Sequence, residues 1–536
     1  MKHWIRNILG NRTETQPMLW RTDNSIFNFL SNNIDNHGNL KDTALDLPDE
    51  IKDEEKLRYA PGLMDAMFGA DDSDDSKKRI IELAKHLKKV ANVGSEINKQ
   101  EFYKLITEDE SVIGIIDDFL QAIVKNPLSV EPYLFSFARD LASKTDKRNA
   151  VKFGIAILGL CQNKSVLKDL KILGQHDEFT VYSTVAITNL SENPVSDLWD
   201  LARRVDGWGK IQIVDRLANM ELNQQIKDWL ILEGYKNNIM YDYLAFTCAV
   251  NGKLHEKLES EQIDKNLFKA SADIIGTLIA VGGPAEDITS YVYASSAVEN
   301  FIRHAKQHTS DISDFITLTK IKDFLSELQN DIGEQKQNGW TPDIISNCII
   351  EIVEIMNSRD WRVQTNEGLK SKDNITYWNA KQAAEKLGVD LWETVWTRLQ
   401  ENPLDSSPWF DVTRYSKSEH ADLIINFALE NLPLDEMATG AKDSMGLGST
   451  YSQFMCLDTI ITYLENYPQK GERIILTGLK SPITRNRNMA IKVLDKWKRE
   501  NWSVEIEKEI QNLKNIEPNT DTKENIEKLL SGKEIK

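Results

Sequence analysis

Between residues 146 and 282 the chain repeats one pattern: a short polar stretch followed by an apolar run of helical length. The polar stretches begin at Asp146, Asp177, Asp206, Lys236 and Asp264, so successive starts lie 31, 29, 30 and 28 residues apart. One such unit is too small to bury its own apolar stripe, and neighbouring units must therefore stack. The recurrence predicts an array of stacked helix pairs, an α-solenoid.

Composition excludes several classes of protein. Apolar residues make up 41% of the chain and charged residues 28%, which is typical of a folded protein. No window approaches eighteen uninterrupted apolar residues, so no membrane span is predicted. The net charge of −18 argues against nucleic acid and anionic membranes as partners. Four widely spaced cysteines, each within an apolar run, indicate reduced core thiols in a cytoplasmic protein.

The negative charge is concentrated near the N terminus. Residues 42–75 hold twelve acidic and three basic side chains. Such a run is usually solvated; the alternative is that it attracts a basic partner. Within it, residues 59–69 are rich in aromatic residues and Met. This island either docks on the first helices and covers their apolar end, or serves as a mobile lid or partner-binding peptide.

Aspartates before the apolar runs have a structural explanation. A carboxylate at that position accepts the unpaired N–H groups of the first helical turn. This role accounts for Asp146, Asp177, Asp206 and Asp264 without catalysis. His176-Asp177-Glu178 could imitate an acid–base group, but no nucleophile is placed by spacing.

A resemblance to a known repeat family appears in residues 478–494. An apolar helix ends there, a turn contains Ser481-Pro482, and Arg485 and Ala490 follow on a second helix. The pattern resembles the turn and second helix of a HEAT repeat, and residues 145–151 are a looser match. The resemblance covers about residues 125–500 and implies a HEAT-like solenoid.

We therefore expect an all-α protein, a right-handed superhelix of HEAT-like helical hairpins. We predict four parts: an irregular acidic N-terminal arm (1–75), a helical region with the thirty-residue period (76–284), a less regular Trp-rich helical region (285–514) and a charged C-terminal tail (515–536), which should fray.

Residues 208–211 and 236–245 are also similar to uncharacterised bacterial proteins, some of which carry a limonene hydroxylase label. That resemblance implies a monooxygenase, and a non-haem iron would need two His and a carboxylate to converge. His304 and His308 are the candidate pair, four residues apart on one predicted helix. His308 is also placed to meet the helix C-terminal carbonyls, and no third ligand is evident. We predict no resident cofactor or metal.

The best candidate for a binding surface is the Trp-rich stretch. It contains Trp361, Trp378, Trp392, Trp396 and Trp409, with Arg362 beside the first. A packed aromatic core accounts for this pattern; the alternative is that some rings line a concave groove and anchor a peptide.

The sequence favours a protein-interaction scaffold or adaptor that binds a protein or peptide partner through the concave face of the solenoid. A basic partner is expected if the acidic arm takes part in binding. The alternative is a metal-dependent monooxygenase, for which the residues give little support.

Overall fold

The computed structural model describes residues 20–50, 59–67, 73–108, 112–125, 132–280, 282–446, 448 and 451–535. Within these ranges the regular structure consists of 29 α-helices and several short 3₁₀ or π segments, and two isolated β-bridges are the only extended pairings. The all-α prediction is confirmed for the described chain.

The described residues divide into two compact units. The first holds the residues up to 50, 59–310 and 317–359, apart from the gaps given above. Its helices are α1 (Ile26–Asn32), α2 (Leu63–Met67), α3 (Asp74–Val93), α4 (Glu96–Glu108), α5 (Ile113–Lys125), α6 (Pro132–Ser143), α7 (Arg148–Leu158), α8 (Leu167–Leu173), α9 (Asp177–Leu190), α10 (Pro194–Ala202), α11 (Gly207–Ala218), α12 (Gln224–Trp229), α13 (Asp242–Asn251), α14 (Leu254–Leu258), α15 (Lys265–Leu278), α16 (Ala294–His308), most of α17 (Ile312–Asn330) and α18 (Pro342–Asn357).

The second unit holds residues 311–316 and the described residues from 360 onward. Its helices are α19 (Trp361–Gly368), α20 (Asn374–Leu387), α21 (Trp392–Glu401), α22 (Ser406–Tyr415), α23 (Ala421–Asn431), α24 (Leu434–Met437), α25 (Ser452–Tyr463), α26 (Glu472–Leu479), α27 (Thr484–Trp497), α28 (Val504–Ile516) and α29 (Thr520–Leu530). The main boundary between the two units lies near residue 360. The boundary suggested by the end of the regular thirty-residue repeat was at residue 284.

Alternate helices of the first unit pack side by side. Helix α7 packs against α9, α9 against α11, α11 against α13, and α13 against α15. The shorter helices α8, α10, α12 and α14 lie between them in the chain. In α7 every residue from Ala150 to Leu158 is buried, which no isolated helix pair could achieve. The thirty-residue recurrence is thus matched by a succession of neighbouring helix pairs.

Two of the four predicted capping aspartates cap the helices that follow them. The Asp206 carboxylate accepts the N–H of Gly207 at 2.8 Å, and Asp264 accepts the N–H of Leu267 at 2.8 Å. These contacts satisfy N–H groups that have no partner within the helix. Each aspartate therefore fixes the first turn of its apolar helix.

The other two aspartates do not cap their own helices. Helix α9 begins with Asp177 itself, and its cap is His176, whose Nδ1 accepts the N–H of Glu178 at 3.2 Å. Helix α7 follows Lys147, which makes no side-chain capping bond. A capping residue must lie immediately before the first helical turn. Both helices begin one or two residues away from where the aspartates would have to cap them, so neither aspartate is in the capping position.

The C-terminal residues are helical rather than frayed. Helix α28 buries Ile506, Ile510 and Leu513 along one stripe, and α29 buries Ile526 and Leu529 against the same hydrophobic core. Helix α29 packs on α27. The charged composition after Lys514 had concealed this narrow apolar stripe, which is enough to hold a helix against a neighbour.

A fully buried ion pair joins α27 to the end of α28. Arg487 Nη2 lies 2.6 Å from Glu517 Oε1, its Nε lies 2.7 Å from Oε2, and neither side chain is exposed. Arg487 Nη1 also donates to the carbonyl of Ser481 at 2.9 Å. The bidentate geometry and the third hydrogen bond are what a buried guanidinium needs to offset its lost hydration.

Candidate functional site

The N-terminal segments formed by residues 20–50 and 59–67, here called the arm, lie against helices α6 to α11. The N–H of Thr22 donates to the carbonyl of Lys144 at 2.9 Å, and that of Ile26 donates to Thr145, also at 2.9 Å. Helix α1 packs on α6 and α8, and α2 packs on α11. Apolar arm residues are buried in the same core as these helices: Trp20, Ile26, Leu30, Ala44 and Leu47.

Residues 59–69 were expected to dock on the first helices, whereas residues 59–67 contact α7, α9 and α11. Residues 68 and 69 lie outside the described ranges. Gly62 shows how close the approach is. Its φ is +74°, and a Cβ there would lie 2.8 Å from the Asp177 carbonyl oxygen. Only glycine fits both the backbone conformation and the gap.

Arg148, the first residue of α7, holds the carboxylates of the arm. Its backbone N–H donates to Asp49 Oδ2 at 2.8 Å, and its guanidinium lies 3.1 Å from Asp49 Oδ1 and contacts Glu50 closely. On the other side, Nη1 lies 3.4 Å from Glu178 Oε1 of α9. A guanidinium can bind several carboxylates at once because its five N–H groups point outward in one plane.

Lys152, one turn further along α7, makes a deeper set of contacts. Its Nζ lies 2.7 Å from Asp65 Oδ2 of the arm and 2.8 Å from Glu178 Oε2. The side chains of Lys152 and Asp65 are only 7% and 4% exposed. The ammonium also lies 5.5 Å from the ring centroid of Tyr182. A buried ammonium with two carboxylates around it is paired far more strongly than a surface lysine.

The environment shifts the two carboxylates in opposite directions. Burial raises the pKa of Asp65, although Lys152 opposes this shift. Burial also acts to raise the pKa of Glu178, but Lys152 and Arg148 outweigh it and hold that pKa below its usual value. Glu178 is therefore the permanent anion between the two cations, and Asp65 is the carboxylate that releases its proton less readily.

His176 binds the backbone of the arm. Its Nδ1 accepts the N–H of Glu178, so Nε2 carries the proton and donates to the carbonyl of Leu45 at 3.2 Å. Burial lowers the pKa of His176, which keeps the ring neutral. The N–H of Gly62 points to Glu178 Oε1 at 3.5 Å. Main-chain atoms of the arm are thus bound together with its carboxylates.

We call Arg148, Lys152, His176 and Glu178 the arm site. These side chains come from α7, α9 and the turn before α9. The site binds carboxylates through its cations and a peptide carbonyl through its imidazole. All of these contacts are made to the arm of the same chain.

Asp177 lies beside the arm site and links α9 to the next helix pair. Its carboxylate accepts the backbone N–H groups of Trp208 and Gly209 at the start of α11. Burial, with a contribution from Asp206, raises the pKa of Asp177 to about 7. Trp208 packs edge to face on Tyr243 of α13, at 5.0 Å between ring centroids, so the start of α11 also contacts the next helix pair.

Asp177 makes stability depend on pH. Because the folded-state pKa is raised above the unfolded value, this group favours folding while it is protonated, and the contribution is lost as pH rises from about 4 to 7. We expect the free energy of unfolding of the wild type, relative to Asp177→Asn, to fall by about 2–3 kcal/mol between pH 5 and pH 7. Hydrogen exchange of α9 and α11 in the two full-length proteins measures this difference. A difference that is constant with pH would contradict the raised pKa.

The two histidines considered as metal ligands both make contacts within the protein. His304 is buried, and its Nε2 lies 3.0 Å from the carbonyl of Leu258. His308 instead stacks on Phe268, with ring centroids 5.4 Å apart. Within the described residues, no three His, Cys, Asp or Glu side chains are grouped as metal ligands.

Most of the predicted tryptophan anchors belong to the core of the second unit. Trp409 is fully buried and donates to the Pro403 carbonyl at 2.8 Å. Trp392 stacks on His420 at 3.6 Å, and Trp396 stacks on Trp392 at 5.6 Å. The packed-core interpretation fits these three rings.

The remaining candidates differ in exposure. Trp361 is buried and packs on Phe315 at 5.3 Å. Arg362 donates to the carbonyl of Leu387 at 2.9 Å. Trp378 alone among the five tryptophans is largely exposed, at 52%, and Ile375 three residues earlier on α20 is 72% exposed. Trp378 is the candidate that remains available to a partner.

Sequence reasoning missed Arg148 and Lys152 as binding residues, although one signal was present. Lys152 interrupts the apolar run from Val151 to Leu158. A lysine in the middle of a buried helical segment must have a carboxylate partner. The partner of Lys152 could not be identified, because Asp65 lies 87 residues before it in sequence.

No protein-family model matches this chain, and no curated protein or solved structure matches it either. None of the helices in the described ranges is both long enough and apolar enough to cross a bilayer.

Proposed function

We propose that this chain is a cytoplasmic protein-interaction scaffold whose HEAT-like helix pairs form a superhelix that binds a peptide segment of a partner protein. The observation that carries the proposal is the arm itself, which lies across α6 to α11 as a bound peptide would. Its contacts combine buried apolar side chains, main-chain hydrogen bonds and ion pairs. Peptide recognition by other proteins uses the same combination.

Three further features support this proposal. Successive helices that pack side by side offer side chains at a regular spacing, which suits the recognition of an extended chain. The four cysteines are buried and unpaired, as expected for a protein of a reducing compartment. Trp378 and Ile375 on α20 supply a second apolar contact point for a partner.

Selection from a library of random 15-residue peptides tests this function without knowledge of the natural partner. Full-length protein as bait should enrich families of related peptides that bind with micromolar dissociation constants. A parallel selection with the Trp378→Ser variant shows which families contact α20. If the folded protein enriches no sequence family, the peptide-binding function is contradicted.

A further inference from the structure

We propose that the arm occupies, within its own chain, the binding site for an acidic segment of a partner protein, and that the partner displaces it. This inference rests on the proposed function and names the chemistry of the partner. It differs from the expectation that the acidic arm attracts a basic protein, since the carboxylates of Asp49, Glu50 and Asp65 already face Arg148 and Lys152.

Charge balance indicates what the site binds. The helices contribute two cations, Arg148 and Lys152, and Glu178 is the anion that contacts both of them. His176 is neutral because its Nδ1 accepts a hydrogen bond. Without the arm, Arg148 would lose its contacts to Asp49 and Glu50, Lys152 would lose its contact to Asp65, and both cations would share Glu178 in a partly buried setting. Such a site requires carboxylates from another segment.

The arm also shows the spacing that the site recognises. Ala44 and Leu47 are buried at 0% and 3% exposure, whereas Leu45 between them is 48% exposed. The Leu45 carbonyl accepts from His176, and the acids Asp49 and Glu50 follow. A competing peptide should therefore have two apolar residues three positions apart. Two adjacent acids should follow, the first of them two positions after the second apolar residue.

A peptide fits this surface better than a nucleic acid does. The site takes a main-chain carbonyl and two apolar side chains besides the carboxylates, and a phosphate backbone offers no equivalent of these apolar groups. The net charge of −18 also repels an extended polyanion at long range.

The test uses a fluorescent peptide with the sequence of residues 40–67 and full-length protein. The main variant is Asp49→Asn/Glu50→Gln, which weakens the competing arm and leaves Arg148 and Lys152 in place. Its affinity for the peptide should be about tenfold higher than that of the wild type, because a larger fraction of molecules has a free site. The gain should shrink with added salt.

Three controls keep the result specific. Gly62→Val keeps every charge but inserts a side chain where a Cβ lies 2.8 Å from the Asp177 carbonyl oxygen, and it should also tighten peptide binding. Asp42→Asn neutralises an exposed arm acid and should bind like the wild type. The peptide carrying Asp49→Asn, Glu50→Gln and Asp65→Asn should bind the main variant about tenfold more weakly than the acidic peptide does.

The inference would be overturned if the wild type, Asp49→Asn/Glu50→Gln and Gly62→Val bound the peptide with equal affinity. It would also be overturned if the main variant bound the acidic and the neutralised peptide equally well. Displacement of the peptide by a single-stranded oligonucleotide at the same concentration would also overturn it. If the random library still enriches peptides in these cases, the proposed peptide-binding function stands. Only the proposal that the arm site binds an acidic segment is then rejected. If neither experiment shows binding, both proposals fail.

Discussion

Arg487→Met should lower the stability of the second unit by about 3–5 kcal/mol, because it leaves Glu517 as a buried charge without a partner. Both side chains of this pair have no exposed surface, and their two contacts are 2.6 and 2.7 Å long. Hydrogen exchange of α25 to α28 in the full-length protein measures the loss. Exchange is preferred to bulk denaturation because a chain with two units need not unfold in one step.

The matched control is Arg473→Met. Arg473 pairs with Asp435 at 2.9 Å, but the two side chains are 55% and 90% exposed, so the cost should be below about 1 kcal/mol. The double variant Arg487→Met/Glu517→Met should regain much of the lost stability, since no charge then stays buried. The single variant Glu517→Met is measured alongside. If the stability loss of the double variant equals the sum of the losses of Arg487→Met and Glu517→Met, the ion pair is not the cause.

Lys152→Met should lower the free energy of unfolding of the first unit by about 3 kcal/mol and loosen the arm. The substitution leaves Asp65 and Glu178 close together in a buried setting without the ammonium between them. Because Asp65 can take up a proton, the loss should be smaller at pH 5 than at pH 8. Hydrogen exchange of residues 59–67 and of α7 at the two pH values follows both effects.

Lys164→Met is the control for this second variant. Lys164 pairs with Glu192 on the surface, where the side chains are 56% and 82% exposed. The expected loss is small, because water and salt screen an exposed ion pair, and exchange of the arm should not change. If Lys152→Met leaves the exchange of residues 59–67 unchanged, Lys152 does not hold the arm.

The helices could be predicted from sequence because each depends on local pattern. The sequence pattern predicts helices over 311–330 and 342–357, and the structure has helices at Ile312–Asn330 and Pro342–Asn357. Helix α29 was missed because charged residues dominate the sequence after Lys514. Thr522, Ile526 and Leu529 are nevertheless buried at helical spacing, so a count of spacing rather than of composition would have found α29.

The arm site could not be predicted because its contacts are not local. Asp49 reaches Arg148 across 99 residues, and no spacing rule relates an irregular segment to a helix so far along the chain. The exposure of Trp378 was equally inaccessible, since its neighbours Trp392 and Trp409 have the same residue type and are buried. Which aromatic ring is buried depends on packing that only the folded chain defines.

Amide hydrogen exchange of the arm, measured residue by residue while the peptide of residues 40–67 is added to the full-length wild type, tests displacement most directly. The N–H of Leu40 donates to Gln175 Oε1, and that of Gly62 points to Glu178 Oε1. Displacement predicts that both amides lose protection together as the peptide saturates the protein. The N–H of Gly38, which donates to Asp35 within the arm, should keep its protection. Unchanged protection of Leu40 and Gly62 at saturation would contradict displacement of the arm by an acidic segment.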